Sequence, residues 1–115
     1  YEKEVEYDVA PFGIIGLETE LGVALTSLYH RQILSLSEVI GKFTAAPAQL
    51  LGIDKGTLSV GAPADITVFD PDEEWIYEAA KGASKSRNSP FDGWPIKGRV
   101  HGTWVAGRQV YSLAR

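Results

Sequence analysis

His30 and His101 are the two imidazoles in a chain of 115 residues that has no cysteine. A zinc centre needs several imidazoles, carboxylates or thiolates converging on one ion. Two histidines so far apart in sequence do not supply that set. His30 falls near the end of a helical pattern, where an imidazole interacts well with the helix dipole. His101 lies between Val100 and Gly102 in a strand-like run and reads as packed or solvated. Asp65, Asp70, Asp72, Glu73 and Glu74 could gather a cation. Their spacing lacks the loop glycine and closing ligand of a calcium loop, so they read as a solvated acidic edge. Lys85-Ser86-Arg87 could touch a phosphate, but one short basic tripeptide in a chain of net charge −4 reads as an exposed loop. Neither glycine pattern of a nucleotide loop occurs. The residues therefore name no catalytic group and no metal ligand.

A different chemistry is open to Ala10-Pro11-Phe12-Gly13-Ile14-Ile15-Gly16-Leu17-Glu18-Thr19. Pro11 fixes its own φ and pushes Ala10 toward an extended conformation. Gly13 and Gly16 permit backbone angles closed to other residues and let another group approach the main chain. Such a loop can wall a small ligand and read a polar, planar molecule with its N–H and C=O groups. It can equally be a buried turn between a strand and a helix. The composition leaves both open, and packing is the commoner use.

The wording of this stretch closely resembles the segment after the last metal-bearing barrel strand of bacterial class I dihydroorotases, which are zinc amidohydrolases. The resemblance implies that Phe12 and Gly13 lie against bound dihydroorotate or N-carbamoyl-L-aspartate, largely through the main chain. Further on, Gly56-Thr57-Leu58, Gly61-Ala62-Pro63-Ala64-Asp65-Ile66, Phe69-Asp70, Asn88-Ser89-Pro90-Phe91, Gly93, Gly98 and Val105-Ala106-Gly107 resemble the small β-domain shared across the amidohydrolase superfamily. That second half is common to hydantoinases, whereas the Phe12-Gly13 wording is not.

What the resemblance implies extends beyond these residues. It implies a Zn2+ cofactor whose ligands are expected upstream of Tyr1, so that this piece alone is inactive. It implies reversible cyclisation of N-carbamoyl-L-aspartate in de novo pyrimidine biosynthesis, a homodimer, and contact with the rest of the same enzyme chain. Two alternatives stay open. One is a metal-free homologue serving aspartate carbamoyltransferase as a structural partner. The other is a hydantoinase-type cyclic amidase.

The elements that must position these residues follow from periodicity. Leu17, Leu21, Ala24, Leu25 and Leu28 recur at helical spacing up to about Arg31. Glu18 and Glu20 suit the positive end of that helix, and Gly22 marks a close approach to a neighbour. Ser35 and Glu38 form a capping-box signature before Leu36, Val39, Ile40 and Phe43. Thr44-Ala45-Ala46-Pro47 ends that helix, and one short turn from Ala48 to Leu51 closes on Gly52. Beyond Ile53 the pattern turns strand-like. Ile66 to Phe69 is a strand ended by Asp70-Pro71-Asp72, Trp75 to Tyr77 a second, and Gly82 to Gly93 a polar loop. Thr103-Trp104-Val105 and Gln109-Val110-Tyr111 form a hairpin about a tight turn, Ala106-Gly107-Arg108.

The expected fold class is α/β. Residues 1–52 are the loop and helices that end a (β/α)8 metal-dependent hydrolase barrel, and 53–115 belong to a small β-sandwich-like domain. Tyr1 to Asp8 reads as an exposed loop. With no methionine and a start on Tyr1, the chain reads as the C-terminal piece of something longer. A hydrophobic content of 44% and a charged content of 23% are ordinary for a globular domain. The acidic balance argues against nucleic acid or an anionic membrane surface as partner. No apolar run is long enough to span a bilayer, and the absence of cysteine fits a cytoplasmic protein.

Overall fold

The computed structural model describes residues 5–6, 8–10 and 12–113. The readings of Pro11 and of most of Tyr1 to Asp8 lie outside the described residues. Helices come first and a sheet follows. Helix α1 (Glu20–Ala24) widens into a π-helical turn (Leu25–Tyr29), then come α2 (Leu36–Phe43) and α3 (Ala45–Leu51). Strands β1 (Ile66–Ile76), β2 (Pro95–Val105) and β3 (Arg108–Ser112) make a three-stranded sheet in that order, and both pairings are antiparallel. A short 3-10 turn, Ala79–Lys81, links β1 to the polar loop.

The first helix is shorter than its periodicity. Leu17 lies before it, 91% exposed, while Leu25 is fully buried. Glu18 does not serve the helix end, since its carboxylate reaches the polar loop instead. The turn after α1 widens because the His30 N–H donates to the Leu25 carbonyl, five residues back. Here Thr26 joins helix to sheet. Its hydroxyl oxygen accepts from the Lys97 N–H at 2.8 Å and lies 2.8 Å from the Gly22 carbonyl.

The Gly22 expectation holds. A Cβ there would lie 2.5 Å from Ile96 Cγ2 and 3.0 Å from the Gly98 carbonyl oxygen. Helix α1 therefore rests almost backbone to backbone on β2. Tyr77, Ala79 and Ile96 form the core beside it, with Val23, Trp75 and Phe91 packed against them.

Ser35 caps α2 as its spacing predicts. Its hydroxyl accepts from the Glu38 N–H at 3.3 Å, and Glu38 takes the Ser35 N–H at 2.8 Å. Val39 is fully buried, but Phe43 is 36% exposed. The third helix begins at Ala45, earlier than expected, with Pro47 inside its first turn, where no intrahelical N–H bond is forfeited. Gly52 closes it in the left-handed conformation at φ 65°. We expect Ser35→Ala to lower stability by about 1 kcal/mol in urea unfolding, through loss of this cap.

Asp70-Pro71-Asp72 does not end a strand. Residues 66–76 form one bulged strand, and the register shifts between Asp70 and Glu74. The bulge leaves Pro71 outside the ladder, and Asp70 Oδ1 accepts the N–H groups of Asp72 and Glu73. The hairpin is as expected, but its turn is only Ala106-Gly107, because Arg108, already in β3, pairs with Val105. Both turn residues have positive φ, 49° and 77°, the twist that a two-residue hairpin loop requires. Ala64 and Asp65 hold this turn from outside. The Ala64 carbonyl accepts the Gly107 N–H, and Asp65 Oδ1 accepts the Ala106 N–H.

Candidate functional site

Both histidines are engaged in contacts within the chain. His30 Nε2 lies 2.7 Å from the Pro71 carbonyl oxygen, and its ring stands edge-on to Tyr29. His101 Nε2 lies 2.5 Å from Glu73 Oε2. Glu73 also accepts from Arg99 at 2.9 Å, and the Arg99 guanidinium covers the Trp75 ring at 5.2 Å. The rest of the acidic edge is occupied in the same way. Asp65 pairs with Lys55, and Glu74 with Lys97 at 3.5 Å. No group of three or more His, Cys, Asp or Glu side chains converges among the described residues. The described side chains therefore do not gather into a zinc site. Arg87 does not present itself to a phosphate either, because it donates to the carbonyls of Ser84 and Ser86 in its own loop.

Arg99 first, then His101, hold the Glu73 carboxyl below the ordinary carboxylate range. A carboxylate whose folded pKa lies below its unfolded one contributes stability in full above the unfolded value. That contribution fades as pH falls through the folded value. Glu73→Gln should therefore cost stability at neutral pH, and less in acid below the ordinary glutamate range, where the wild-type contribution fades. Unfolding curves at the two pH values check this, and the effect is modest because the cluster is partly exposed.

The loop from Phe12 to Thr19 is arranged differently. Phe12 is 96% exposed. Gly13 has φ 74°, and no atom lies within 4 Å of where a Cβ would stand. The main chain is thus presented outward while its other side is tied down. Asn88 Nδ2 donates to the Gly13 carbonyl at 2.8 Å, and the Ile15 N–H donates to the Asn88 carbonyl at 3.0 Å. Glu18 Oε1 accepts the Ala83 N–H at 2.8 Å and the Ser84 N–H at 3.2 Å. The buried Thr19 donates its hydroxyl to the Gly16 carbonyl at 3.0 Å. Beside the loop runs an apolar groove lined by Ile14, Leu17, Val23, Leu28, Phe43 and Phe91, which does not include Phe12 or Gly13.

Phe12 and Gly13 come together by adjacency alone. Asn88, which holds Gly13, and Glu18, which ties the same loop to Ala83 and Ser84, are roles that sequence reasoning missed. Their partners lie 75 and 65 residues away, and nothing local signals such pairings.

Residues 10–110 match the family described as the amidohydrolase family. The chain belongs to that family. Among curated relatives, it is 50% identical over 110 residues to a dihydroorotase of Citrifermentans bemidjiense. It is 49% identical over 110 residues to one of Geotalea daltonii, and 49% identical over 111 residues to one of Aquifex aeolicus. Each match covers 96% of this chain and 26% of the relative. The chain thus spans about a quarter of the length of the curated dihydroorotases it matches. Among solved structures, the L-hydantoinase (dihydropyrimidinase) of Arthrobacter aurescens superposes with a TM-score of 0.85 at 34% identity, over 96% of this chain and 26% of that one. A D-hydantoinase from Thermus sp. gives 0.82 at 23% identity, over 95% of this chain and 25% of that one, a likeness of fold. The amidohydrolase fold thus appears here as helices packed on a small antiparallel sheet.

Proposed function

We propose that this amidohydrolase chain is the C-terminal part of a dihydroorotase. The enzyme would interconvert N-carbamoyl-L-aspartate and dihydroorotate in pyrimidine biosynthesis. The observation that carries the reading is identity of about 50% to curated dihydroorotases along almost the whole chain, against 34% to the L-hydantoinase. In the hydrolytic direction the ring amide C–N bond breaks, and water supplies a hydroxyl to the carbonyl carbon and a proton to the nitrogen. The part assigned to this chain is recognition. Phe12 and Gly13 hold the ring edge with their main chain, and the outward loop and positive φ of Gly13 support that role.

Zinc, in this reading, is held by residues outside this chain, and no step is assigned to it here. Residues 1–52 would close a (β/α)8 barrel, and 53–115 would belong to a small β-sandwich-like domain. The run of helices before Gly52 and of strands after Ile66 supports that division. Large apolar side chains left exposed, such as Leu50, Leu58 and Val60, suit contact with the rest of the chain or with a second copy in a homodimer. A cytoplasmic location belongs to the same reading.

The full-length enzyme decides the matter. It should contain zinc, open dihydroorotate, and leave hydantoin and dihydrouracil largely untouched. Preference for hydantoin would favour the cyclic amidase, which the fold likeness alone would also accommodate. A zinc-free, inactive protein that binds aspartate carbamoyltransferase would favour a structural partner.

A further inference from the structure

The loop assigned to substrate is held from the other half of the chain. Asn88 makes two bonds to it. The side-chain amide donates to the Gly13 carbonyl at 2.8 Å, and the Asn88 carbonyl accepts the Ile15 N–H at 3.0 Å. Together they bracket Ile14 and fix the peptide planes on either side of it. A glycine in the left-handed region has many conformations open to it, so something must select one. Gly13 has no side chain to do so, and the neighbouring Phe12 side chain is almost fully exposed.

The Asn88 loop is itself anchored to the sheet. The Tyr77 N–H donates to the Trp94 carbonyl and the Gly93 N–H to the Tyr77 carbonyl. Asp92 Oδ1 accepts the Ala79 N–H at 2.7 Å, and Tyr77 and Ala79 are core residues. Ser89 Oγ accepts the Phe91 N–H. The bonds run from the buried Tyr77 and Ala79, just past β1, through the 88–94 segment, to Gly13. Glu18 binds the start of the same loop through Ala83 and Ser84.

We propose that Asn88 is a positioning residue for the substrate loop. It holds the Gly13 carbonyl so that the Phe12–Gly13 main chain meets the ring edge in one conformation. This rests on the dihydroorotase reading for the ligand, and on the geometry of Asn88 for the mechanism. A carbonyl already bonded to Asn88 is not drawn off by water or by a shifted turn. Binding then needs less ordering of the loop.

The test uses the full-length enzyme with Asn88→Asp and Asn88→Ala. The aspartate keeps the shape and the main-chain bond but sets a carboxylate against the Gly13 carbonyl. Both variants should raise KM about three- to tenfold, the worth of roughly one hydrogen bond, with kcat within about twofold. Hydrogen exchange of the 12–17 peptide should quicken in both, with zinc content unchanged. A scaffold role instead predicts a lower Tm with an unaltered KM in the folded fraction, and that result overturns the proposal. If the wild type opens hydantoin or dihydrouracil in place of dihydroorotate, the dihydroorotase reading fails. The KM comparison on that amide still judges Asn88. If the wild type opens no cyclic amide, both readings fall.

Discussion

Gly98→Ala is expected to destabilise the folded protein by about 2–4 kcal/mol. Two independent costs meet at this position. Gly98 sits in β2 with φ 108°, a conformation that L side chains rarely adopt. Its Cβ would also stand 2.5 Å from Leu25 Cδ1 and 3.1 Å from Leu25 Cβ. Leu25 is fully buried and cannot swing away. It would have to push α1 off the strand, breaking the bond from the Lys97 N–H to Thr26 and straining the bond from Trp75 Nε1 to the Gly98 carbonyl at 3.0 Å.

Gly22→Ala attacks the same contact from the helix side and should also destabilise. The double variant should cost less than the sum of the two, because either change alone already separates helix from strand. Gly41→Ala is the control. Gly41 lies in α2 with nothing within 4 Å of a Cβ, so the methyl should stabilise by up to about 1 kcal/mol. Denaturant midpoints for the four proteins test the set. A neutral Gly98→Ala would mean that α1 does not lie on β2 as described.

The glycine contact marks the boundary of what the sequence could reveal. The capping box at Ser35 and Glu38 was legible because its partners are three residues apart. The hairpin was legible because Ala106-Gly107 sits between two runs of β-formers. Pro71 misled because proline cannot donate to a ladder and so reads as a strand end, and the bulge that accommodates it is marked by Asp70 bonding two main-chain N–H groups. Leu17 and Glu18 misled for another reason. Their helical spacing is genuine, but the chain enters α1 only at Glu20, after Glu18 has been drawn to Ala83. The family was readable in the wording of both halves, whereas the tether between them was not. Asn88 and Gly13 become neighbours only when the sheet has formed and its loop has folded back.

On the dihydroorotase reading proposed above, Gly13→Ala should weaken substrate binding in the full-length protein by about 1–3 kcal/mol, the worth of one or two hydrogen bonds. The space around Gly13 is open, so the added methyl meets no protein atom. Its first effect is on the backbone. At φ 74° an alanine costs about 1–2 kcal/mol relative to its preferred angles. The loop can relieve that cost by turning the Gly13 peptide, which breaks the bond to Asn88 and takes the outward main-chain groups away from the ring. If the loop instead keeps its shape, the methyl projects into the space the ligand is proposed to fill. Either route raises KM. Phe12→Leu should do less, because the exposed Phe12 side chain offers apolar bulk while its main chain is unaltered. Zinc should stay bound in Gly13→Val, since no ligand to the metal is assigned here. Asparagine tolerates the left-handed region better than alanine, so Gly13→Asn separates the two routes. Recovery of the loop's hydrogen-exchange protection without recovery of KM identifies obstruction of the ligand. Recovery of both identifies backbone strain. A Gly13→Ala enzyme with lowered Tm and unchanged KM would place this loop among the scaffold elements and remove Phe12 and Gly13 from the substrate site.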